Sequence, residues 1–404
     1  MNLDARLADS GCGHLFGALQ SQPADALLGL IALHRQDPRP TKIDLGVGVY
    51  RNDDGETPVM AAVKAAERRL AENQSTKAYL GAEGDARFVD LLALIVLGSA
   101  LASDEAVSGV QTPGGTGALR LGAELVARGK GNIAVWIGTP TWPNHAPIFR
   151  EAGLEVRRHP FFDPATGGVD FPAMMASLDE AEAGDVVLLH GCCHNPTGAE
   201  FSAEQWAAIN SLLADKRLIP FIDLAYQGLG RGLERDAAAT RAVVAAAPEA
   251  IVAYSCDKNF GLYRDRVGAL WVKAASGKAA ATVRQNTLVL ARCLWSMPPD
   301  HGAAAVREIL EDELLRASWR RELEEMRSRI ASLRTALARS EPRLAPLADQ
   351  GGMFAMLPLQ QNAAQALRAN RGIYLADSGR INIAGLRAET VAQFVAAIAP
   401  YLER

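Results

Sequence analysis

Short runs of mostly apolar residues alternate with longer amphipathic stretches along the chain. Four runs end at a turn-forming or polar residue: 133–137 before Gly138, 186–190 before Gly191, 219–222 before Asp223 and 251–254 before Ser255. Strands that are apolar at successive positions bury both faces, so these runs predict a mostly parallel sheet covered by helices. Ligands of such sheets bind beyond the carboxyl ends of the strands. The pattern therefore predicts an α/β protein with a site at one sheet edge.

A different pattern follows in the last quarter of the chain. Spacings of 3, 4, 3 and 4 residues separate five apolar positions, namely Leu323, Met326, Ile330, Leu333 and Leu337. This periodicity predicts one long helix with an apolar seam. Residues 353–357 and 380–383 then resemble short strands around a helix. We expect a smaller α+β domain at the C-terminus.

Composition narrows the class of protein. A chain of 404 residues has room for two to three domains, and its 42 basic and 46 acidic residues give a net charge of −4. This balance predicts no broad positive surface for nucleic acid or an anionic membrane. The longest mostly apolar run, 91–102, spans 12 residues, whereas a membrane-spanning helix needs about 20.

Cysteine use and the N-terminus suggest the compartment. The five cysteines form no C-x-x-C motif, which favours reduced thiols over a disulfide framework or a zinc ribbon. Asp4 and Asp9 stand where a signal peptide carries basic and apolar residues. We therefore expect a cytoplasmic protein.

Gly114-Gly115-Thr116-Gly117 opens a predicted helix. Free N–H groups and the helix dipole at such an end favour a phosphate. Taken alone, the segment favours a plain glycine-rich turn over a phosphate site. It matches neither the dinucleotide-binding fingerprint nor the P-loop.

Lys258 follows a predicted buried strand, in Ser255-Cys256-Asp257-Lys258. Partial desolvation there lowers the pKa of an ammonium and favours attack by the neutral amine on a carbonyl. A solvated surface lysine is the ordinary alternative. Ser255 and Lys258 also match S-x-x-K of serine acyl-transfer enzymes, but the chain contains neither S-D-N nor K-T-G.

Three further polar features have functional and structural interpretations. Asp223 ends an apolar strand and needs a cationic or N–H partner, unless it merely caps the following turn. Arg380 alternates with Asn382 on one strand face, which suits carboxylate binding or a structural salt bridge. His145, His190 and His194 lack the spacing of a known metal motif, so we expect no metal.

These motifs occur in a characteristic order: Gly-Gly-Thr-Gly, Trp-Pro-Asn-His, His-Asn-Pro-Thr-Gly, Asp-x-Ala-Tyr-Gln-Gly, Ser-x-x-Lys-Asn-Phe-Gly and Gly-Arg-x-Asn-x-Ala-Gly. In this order the chain resembles the aspartate/aromatic aminotransferases, which use pyridoxal phosphate, from about Pro23 to near the C-terminus. The resemblance implies a pyridoxal-phosphate-dependent transferase fold. Its large domain, residues 57–319, would contain a mostly parallel seven-stranded sheet flanked by helices, and residues 1–56 with 320–404 would form an N-terminal arm and a small α+β domain.

The resemblance also implies roles for individual residues. Lys258 would hold the cofactor as a Schiff base and move a proton, Asp223 would pair with the pyridine nitrogen with support from His145, and Tyr226 would complete the catalytic set. The implied cofactor-binding residues are Gly115, Thr116, Trp142, Asn195, Asp223, Tyr226, Ser255, Lys258, Arg266 and, from a second subunit, Tyr79. The implied substrate-binding residues are Gly48, Trp142, Asn195, Arg380 and, from the second subunit, Arg292.

One position departs from the family pattern. Asp257 stands where a small neutral residue, commonly Ser, precedes the lysine, and a carboxylate repels a phosphate dianion. Either Asp257 points away, or it pairs with a cation, or it reduces cofactor affinity.

Residues contributed across an interface imply a homodimer. Apolar neighbours of Arg292, including Leu294, Trp295 and Met297, favour transamination of tyrosine, phenylalanine and aspartate with 2-oxoglutarate. The alternatives are an aspartate-dedicated aminotransferase, an aspartate β-decarboxylase and a catalytically silent binding protein.

Overall fold

A computed structural model of the chain describes residues 16, 19–21, 26–129 and 133–403. Cys12, Asp4, Asp9 and the start of the expected family match at Pro23 lie outside these residues. Within the described ranges, no helix combines the length and apolar character needed to cross a membrane.

Strands and helices alternate along most of the chain. The strands are β1 (Ile43–Asp44), β2 (Val107–Pro113), β3 (Ala134–Thr139), β4 (Glu155–Pro160), β5 (Phe162–Asp163), β6 (Gly168–Val169), β7 (Val186–His190), β8 (Ile219–Leu224), β9 (Ala250–Ser255), β10 (Val267–Lys273), β11 (Phe354–Met356), β12 (Ile373–Tyr374) and β13 (Arg380–Asn382). The α-helices are α1 (Ala26–Gln36), α2 (Ala61–Asn73), α3 (Ala86–Val96), α4 (Gly98–Ala102), α5 (Gly114–Gly129), α6 (His145–Glu151), α7 (Phe171–Leu178), α8 (Ala203–Lys216), α9 (Leu233–Ala246), α10 (Gly277–Leu294), α11 (His301–Glu311), α12 (Glu313–Ser340), α13 (Ala363–Arg371) and α14 (Val391–Ile398).

The central sheet has seven strands in the order β2-β10-β9-β8-β7-β3-β4. Only β10 runs antiparallel to its neighbours, whereas the other pairings are parallel. The mostly parallel sheet predicted from the apolar runs is therefore confirmed. Strands β2, β3, β7, β8 and β9 end at the same edge, where β10 begins.

Both faces of this sheet are buried. Alternate residues of β8 belong to different apolar clusters, with Phe221 on one face and Ile222 and Leu224 on the other. In β9, Ile251 and Ala253 join the first cluster and the neighbouring positions join the second. Because both faces are buried, the strands are apolar at successive positions in the sequence and not only at every second position.

The first turn of α5 lies directly against the sheet. Gly114 has φ +69°, a backbone conformation that residues with a Cβ rarely adopt. A Cβ at Gly268 of β10 would lie 2.9 Å from the Gly114 Cα atom and 2.4 Å from the Tyr254 carbonyl oxygen. These glycines permit the close approach that brings the start of α5 to the sheet edge.

Segments from both chain ends pair outside the central sheet. Strand β1 is parallel to β12, and β11 is antiparallel to β13. Helix α12 contains the predicted apolar seam, whose five residues are all buried. This helix runs without a break through the expected domain boundary at 319/320, and the domain limits themselves stay a prediction.

Candidate active site

A cavity of about 270 Å³ lies at the edge where the parallel strands end. Its walls bring together ten of the predicted cofactor- and substrate-binding residues: Gly48, Gly115, Thr116, Trp142, Asn195, Asp223, Tyr226, Ser255, Lys258 and Arg266. Leu119, His190, Ala225, Asp257 and Tyr263 complete the lining. A larger cavity of about 400 Å³ shares His190 with it but is lined mainly by residues of other kinds, including Cys192, Cys193 and Glu200.

One end of the cavity carries a buried carboxylate with a defined partner. Asp223 in β8 accepts a hydrogen bond of 3.0 Å from His145 Nε2, and the side chain of His145 is 0% exposed. Because a carboxylate only accepts, Nε2 carries the proton, and His145 Nδ1 accepts from the Thr141 hydroxyl at 2.8 Å. Burial raises the pKa of Asp223, but hydrogen bonding and charge from His145 outweigh it and the net pKa is lowered. Asp223 is therefore an anion held in a fixed orientation.

A neutral histidine lies beside this pair. Burial lowers the pKa of His190 to about 3, and its Nε2 atom is buried without a hydrogen-bond partner. Ligand atoms of His145, His190 and Asp223 lie within 4.8 Å of one another. Both ring nitrogens of His145 are already hydrogen-bonded, so this trio is not arranged as a free metal site, and the expectation of no metal stays a prediction.

Lys258 lies between the two ends of the cavity. Burial lowers the pKa of its ammonium, although the carboxylates of Asp257 and Asp223 oppose this shift. Lys258 Nζ is 5.3 Å from the centre of the Tyr226 ring and 3.9 Å from Asp257 Oδ2. A lysine in this setting yields a neutral amine more readily than an exposed one.

Tyr226 and Asn195 form a polar wall beside Lys258. Asn195 Nδ2 donates to the Tyr226 hydroxyl over 3.3 Å, and Asn195 Oδ1 is buried without a partner. Burial raises the pKa of Tyr226 above its ordinary value, so its hydroxyl keeps its proton. Both side chains can therefore hydrogen-bond a polar group inside the cavity.

The other end of the cavity is suited to an anion. Gly115 and Thr116 lie in the first turn of α5, where main-chain N–H groups are free of helical partners. Ser255 Oγ accepts from the Asp257 N–H at 3.2 Å, which leaves the serine hydroxyl proton for another acceptor. Arg266 adds a guanidinium, so three kinds of anion-binding group converge here.

Asp257 points into this anion-binding end and pairs with its arginine. Arg266 Nη1 donates to Asp257 Oδ2 at 2.5 Å. Asp257 therefore does not point away from the cavity, and it pairs with a cation. The other carboxylate oxygen, Oδ1, is buried and has no hydrogen-bond partner.

Arg380 and Asn382 lie on one face of β13, as their alternation predicted. Arg380 Nη2 donates to the Gly46 carbonyl at 2.8 Å, and Asn382 Nδ2 donates to the carbonyls of Val47 and Val49 at 2.7 Å each. Burial and Tyr226 are the influences on the pKa of Arg380, and no carboxylate of the described residues is among them, so the salt-bridge interpretation is not supported. Burial lowers the pKa of this guanidinium.

The segment held by these two residues forms part of the cavity wall. A Cβ at Gly48 would lie 2.8 Å from Phe354 Cζ, so the backbone here rests directly on that ring. The Arg380 guanidinium carbon lies 4.9 Å from the centre of the same ring. Phe354 therefore supports both the loop and the arginine.

Three predicted residues do not line this cavity: Arg380, whose charge acts on Tyr226 in the cavity wall, and two exposed residues. Tyr79 is 94% exposed, and Arg292 is exposed in the last turn of α10. Neither belongs to the cavity lining within the single chain. This placement is compatible with the expectation that both act on a second subunit.

Sequence reasoning missed Tyr263, although it lines the cavity. Its hydroxyl accepts from the Tyr50 N–H at 2.9 Å, and burial raises its pKa to about 12. Tyr263 thus connects the Lys258–Arg266 segment to the loop that carries Gly48. The sequence signal was its place at the end of Ser-x-x-Lys-Asn-Phe-Gly-Leu-Tyr, the family motif that contains Lys258.

The fold and these side chains define the class of protein. The chain belongs to the family described as aminotransferase class I and II, whose sequence profile matches residues 40–398. It is therefore an aminotransferase, and the resemblance and the α/β fold class expected from the sequence are confirmed.

Individual relatives are similar over nearly the whole chain. The tyrosine aminotransferase of Rhizobium meliloti is 51% identical, covering 94% of this chain and 98% of the relative. The aspartate aminotransferase of Escherichia coli is 43% identical, with coverages of 96% and 100%. The crystal structure of an aromatic-amino-acid aminotransferase from Burkholderia pseudomallei, covalently bound to pyridoxal phosphate, superposes with a TM-score of 0.94 at 39% identity, covering 96% of this chain and 100% of that one.

Proposed function

We propose that this aminotransferase transfers the α-amino group between tyrosine, phenylalanine or aspartate and 2-oxoglutarate, using pyridoxal phosphate bound covalently at Lys258. The observation that carries the proposal is the order of groups in one cavity: the Asp223–His145 pair, then Lys258, then the anion-binding end. A cofactor with a basic ring nitrogen, an aldehyde and a phosphate matches this order group by group.

The residues present fit pyridoxal phosphate. Asp223 would pair with the ring nitrogen, and Gly115, Thr116, Ser255 and Arg266 would bind the phosphate. Asn195 Oδ1 is a buried acceptor without a partner, which indicates that this wall is built for a polar ligand. Tyr226 and Asn195 would hydrogen-bond the ring oxygen, and Trp142 would stack on the ring.

When bound, pyridoxal phosphate supplies an electron sink for negative charge at the substrate α-carbon. The protein supplies position and charge. Asp223, an anion held by His145, would keep the ring nitrogen protonated. The lowered pKa of Lys258 lets its Nζ accept a proton and return it within the cavity. Arg380 would bind the substrate α-carboxylate through its planar guanidinium.

The relatives and the sequence around Arg292 support dual specificity. Arg292 would meet the distal carboxylate of aspartate or 2-oxoglutarate, whereas nearby Leu294, Trp295 and Met297 suit an aromatic ring. The first relative described above is named a tyrosine aminotransferase. The aspartate aminotransferase relatives support the second candidate, an aspartate-dedicated enzyme.

Absorption spectra of the cofactor-loaded protein test the function. We expect glutamate, aspartate, tyrosine and phenylalanine, added separately, each to convert the aldehyde form of the cofactor to its amine form. Relative single-turnover rates then rank the donors. Phenylalanine conversion more than ~10³-fold less efficient than that of aspartate, a gap of ~4 kcal/mol, would favour the aspartate-dedicated enzyme.

Two other outcomes would contradict transamination. Alanine formed from aspartate without consumption of an amino acceptor would indicate β-decarboxylation. A stable cofactor spectrum that responds to none of the four amino acids would indicate a silent binding protein. Wild-type protein without amino acid serves as the control for spontaneous spectral change.

We also propose that the protein acts as a homodimer, with Tyr79 and Arg292 each completing the site of the partner subunit. Both side chains are exposed, and so are the neighbouring apolar residues Leu80, Val289 and Leu294. Mixing Lys258→Ala chains with Arg292→Leu chains tests this directly. In a mixed dimer one site has neither substitution, so aspartate turnover should reappear, whereas two independent chains would stay inactive.

The free thiols of Cys192, Cys193, Cys256 and Cys293 support a reducing compartment such as the cytoplasm.

A further inference from the structure

We propose that Asp257 competes with the cofactor phosphate for Arg266 and thereby lowers the affinity of the protein for the phosphorylated cofactor. The proposal rests on the proposed function, because it takes pyridoxal phosphate as the ligand of the cavity. It makes Asp257 a determinant of how strongly this protein distinguishes phosphorylated from unphosphorylated cofactor.

The contacts of Arg266 carry the first step. Its Nη1 atom donates to Asp257 Oδ2 at 2.5 Å and to the Tyr263 carbonyl oxygen at 3.2 Å. One Nη atom has two N–H groups, so these two acceptors engage Nη1 completely. A phosphate can use Nη1 only after Asp257 releases it.

The remaining face of the guanidinium lies against α5. A Cβ at Gly114 would lie 2.6 Å from Arg266 Nη2 and 3.0 Å from the guanidinium carbon. Nη2 is therefore already next to the helix N-terminus where the phosphate is expected. The carboxylate and the phosphate thus approach the same planar group from adjacent positions.

Charge adds to this competition. The side chain of Asp257 is 6% exposed, and its nearest cations are Arg266 and Lys258, the latter at 3.9 Å. A phosphate ester carries about −1.5 to −2 charges at neutral pH, and repulsion between like charges is strong where water is scarce. Asp257 removes one net positive charge from the end of the cavity that has to neutralise the phosphate.

A role in orienting Arg266 does not by itself explain why an aspartate stands at position 257. A positioning carboxylate would ideally have both oxygens hydrogen-bonded, yet Asp257 Oδ1 is buried without a partner. Arg266 also has φ +56°, and the Tyr263 carbonyl already helps to hold its side chain. A neutral residue at position 257 would leave that second contact in place.

Titration of the full chain, stripped of cofactor, tests the competition. Wild type, Asp257→Ser and Asp257→Asn are titrated with pyridoxal phosphate, with pyridoxal and with inorganic phosphate, and each dissociation constant is measured by absorbance or calorimetry. Asp257→Asn keeps the shape of the side chain and removes only its charge. Glu155→Gln, which alters a remote surface ion pair with Arg157, is the matched control.

We expect both Asp257 variants to bind pyridoxal phosphate and inorganic phosphate about tenfold more tightly or better, the change that one charge-assisted hydrogen bond produces. Pyridoxal affinity should change by less than about threefold, because pyridoxal has no phosphate. The Glu155→Gln variant should match wild type with all three ligands. The Asn variant keeps the test decisive if the Ser variant unfolds.

Two results would overturn the inference. Equal tightening toward pyridoxal and pyridoxal phosphate would show that Asp257 acts on Lys258 and not on the phosphate. Weaker or unchanged phosphate binding in both variants would show that Asp257 does not compete with phosphate for Arg266. Failure of wild type and variants alike to bind pyridoxal phosphate or pyridoxal would contradict the proposed function, and the inorganic phosphate titration would then still decide the role of Asp257.

Discussion

Asp223 and Asp257 are two buried aspartates at the ends of neighbouring strands, yet their surroundings differ. Asp223 accepts a hydrogen bond from the fully buried His145, and the second ring nitrogen of His145 is hydrogen-bonded to the Thr141 hydroxyl. Asp257 instead pairs with Arg266, a half-exposed cation whose side chain is 40% accessible, and keeps one oxygen without a partner. The first carboxylate complements the expected ligand, whereas the second opposes it.

The difference shows that the partner of a buried carboxylate, more than its burial, decides what it contributes. His145 donates one hydrogen bond to Asp223 and leaves its negative charge available to a cationic ring nitrogen. The Arg266 guanidinium cancels the charge of Asp257 and is itself consumed in doing so. Substitutions at the two ends should therefore have opposite effects on cofactor binding.

Removing Lys258, which lies between the two carboxylates, should have the largest effect. We expect Lys258→Ala to lower kcat by about 10⁴-fold, because it removes both the covalent attachment and the proton-transferring amine. Turnover of aspartate with 2-oxoglutarate measures this. Circular dichroism provides the folding control, and a variant that keeps more than a tenth of wild-type kcat would contradict the role of Lys258.

Asp223→Asn tests the carboxylate that we expect to complement the cofactor. We expect kcat to fall by about 10²- to 10³-fold, because a neutral amide no longer stabilises a protonated ring nitrogen. Cofactor affinity should fall as well, whereas Asp257→Asn should raise it. Measuring both variants side by side, in kinetics and in cofactor titration, makes each the control for the other, and shifts of the same sign would refute the contrast.

His145→Ala should lower kcat less than Asp223→Asn, because it removes only the hydrogen bond that holds Asp223. Loss of the hydrogen bond to Asp223 should reduce kcat by about 3- to 10-fold. Thr141→Val, which removes only the outer hydrogen bond to His145, should change kcat less. A larger loss of kcat in Thr141→Val than in His145→Ala would contradict this prediction, because Thr141 is expected to act on Asp223 only through His145.

The smallest expected effect concerns the pH dependence of stability. The folded protein lowers the pKa of Asp223, so the residue contributes stability above its ordinary pKa and loses it as pH falls toward the lowered value. The free energy of unfolding of cofactor-free wild type should therefore approach that of Asp223→Asn as the pH falls below about 4. Urea titrations at several pH values check this, and a constant difference between the two proteins would contradict it.

Much of the fold was predictable because strand periodicity and turn residues are local signals. The apolar runs correspond to β3, β7, β8 and β9, and the seam with spacings of three and four lies in α12. The predicted strands did not include β10, although residues 267–272 are apolar or glycine. Arg334 was also missed: it is buried in α12 and hydrogen-bonds the carbonyls of Gly351, Gly352 and Phe354.

The candidate site residues were predictable where they lie at or just after the end of a strand. Lys258, Asp223 and Asn195 each lie at or just after a strand of the parallel sheet, so their convergence follows from sheet topology alone. Tyr263 was not predictable in this way, since its role depends on a hydrogen bond to Tyr50, more than two hundred residues away.

The sequence by itself determined the α/β class, four strands of the central sheet, the family and the residue types that meet at the sheet edge, because these depend on local periodicity and on motif order. Only the tertiary structure decided which charges are partners. Whether Asp257 faces solvent, Lys258 or Arg266 depends on the left-handed turn at Arg266 and on the contact of α5 with the sheet. Ion pairs form between atoms a few ångströms apart, and that distance is set by packing between elements that are remote in the chain.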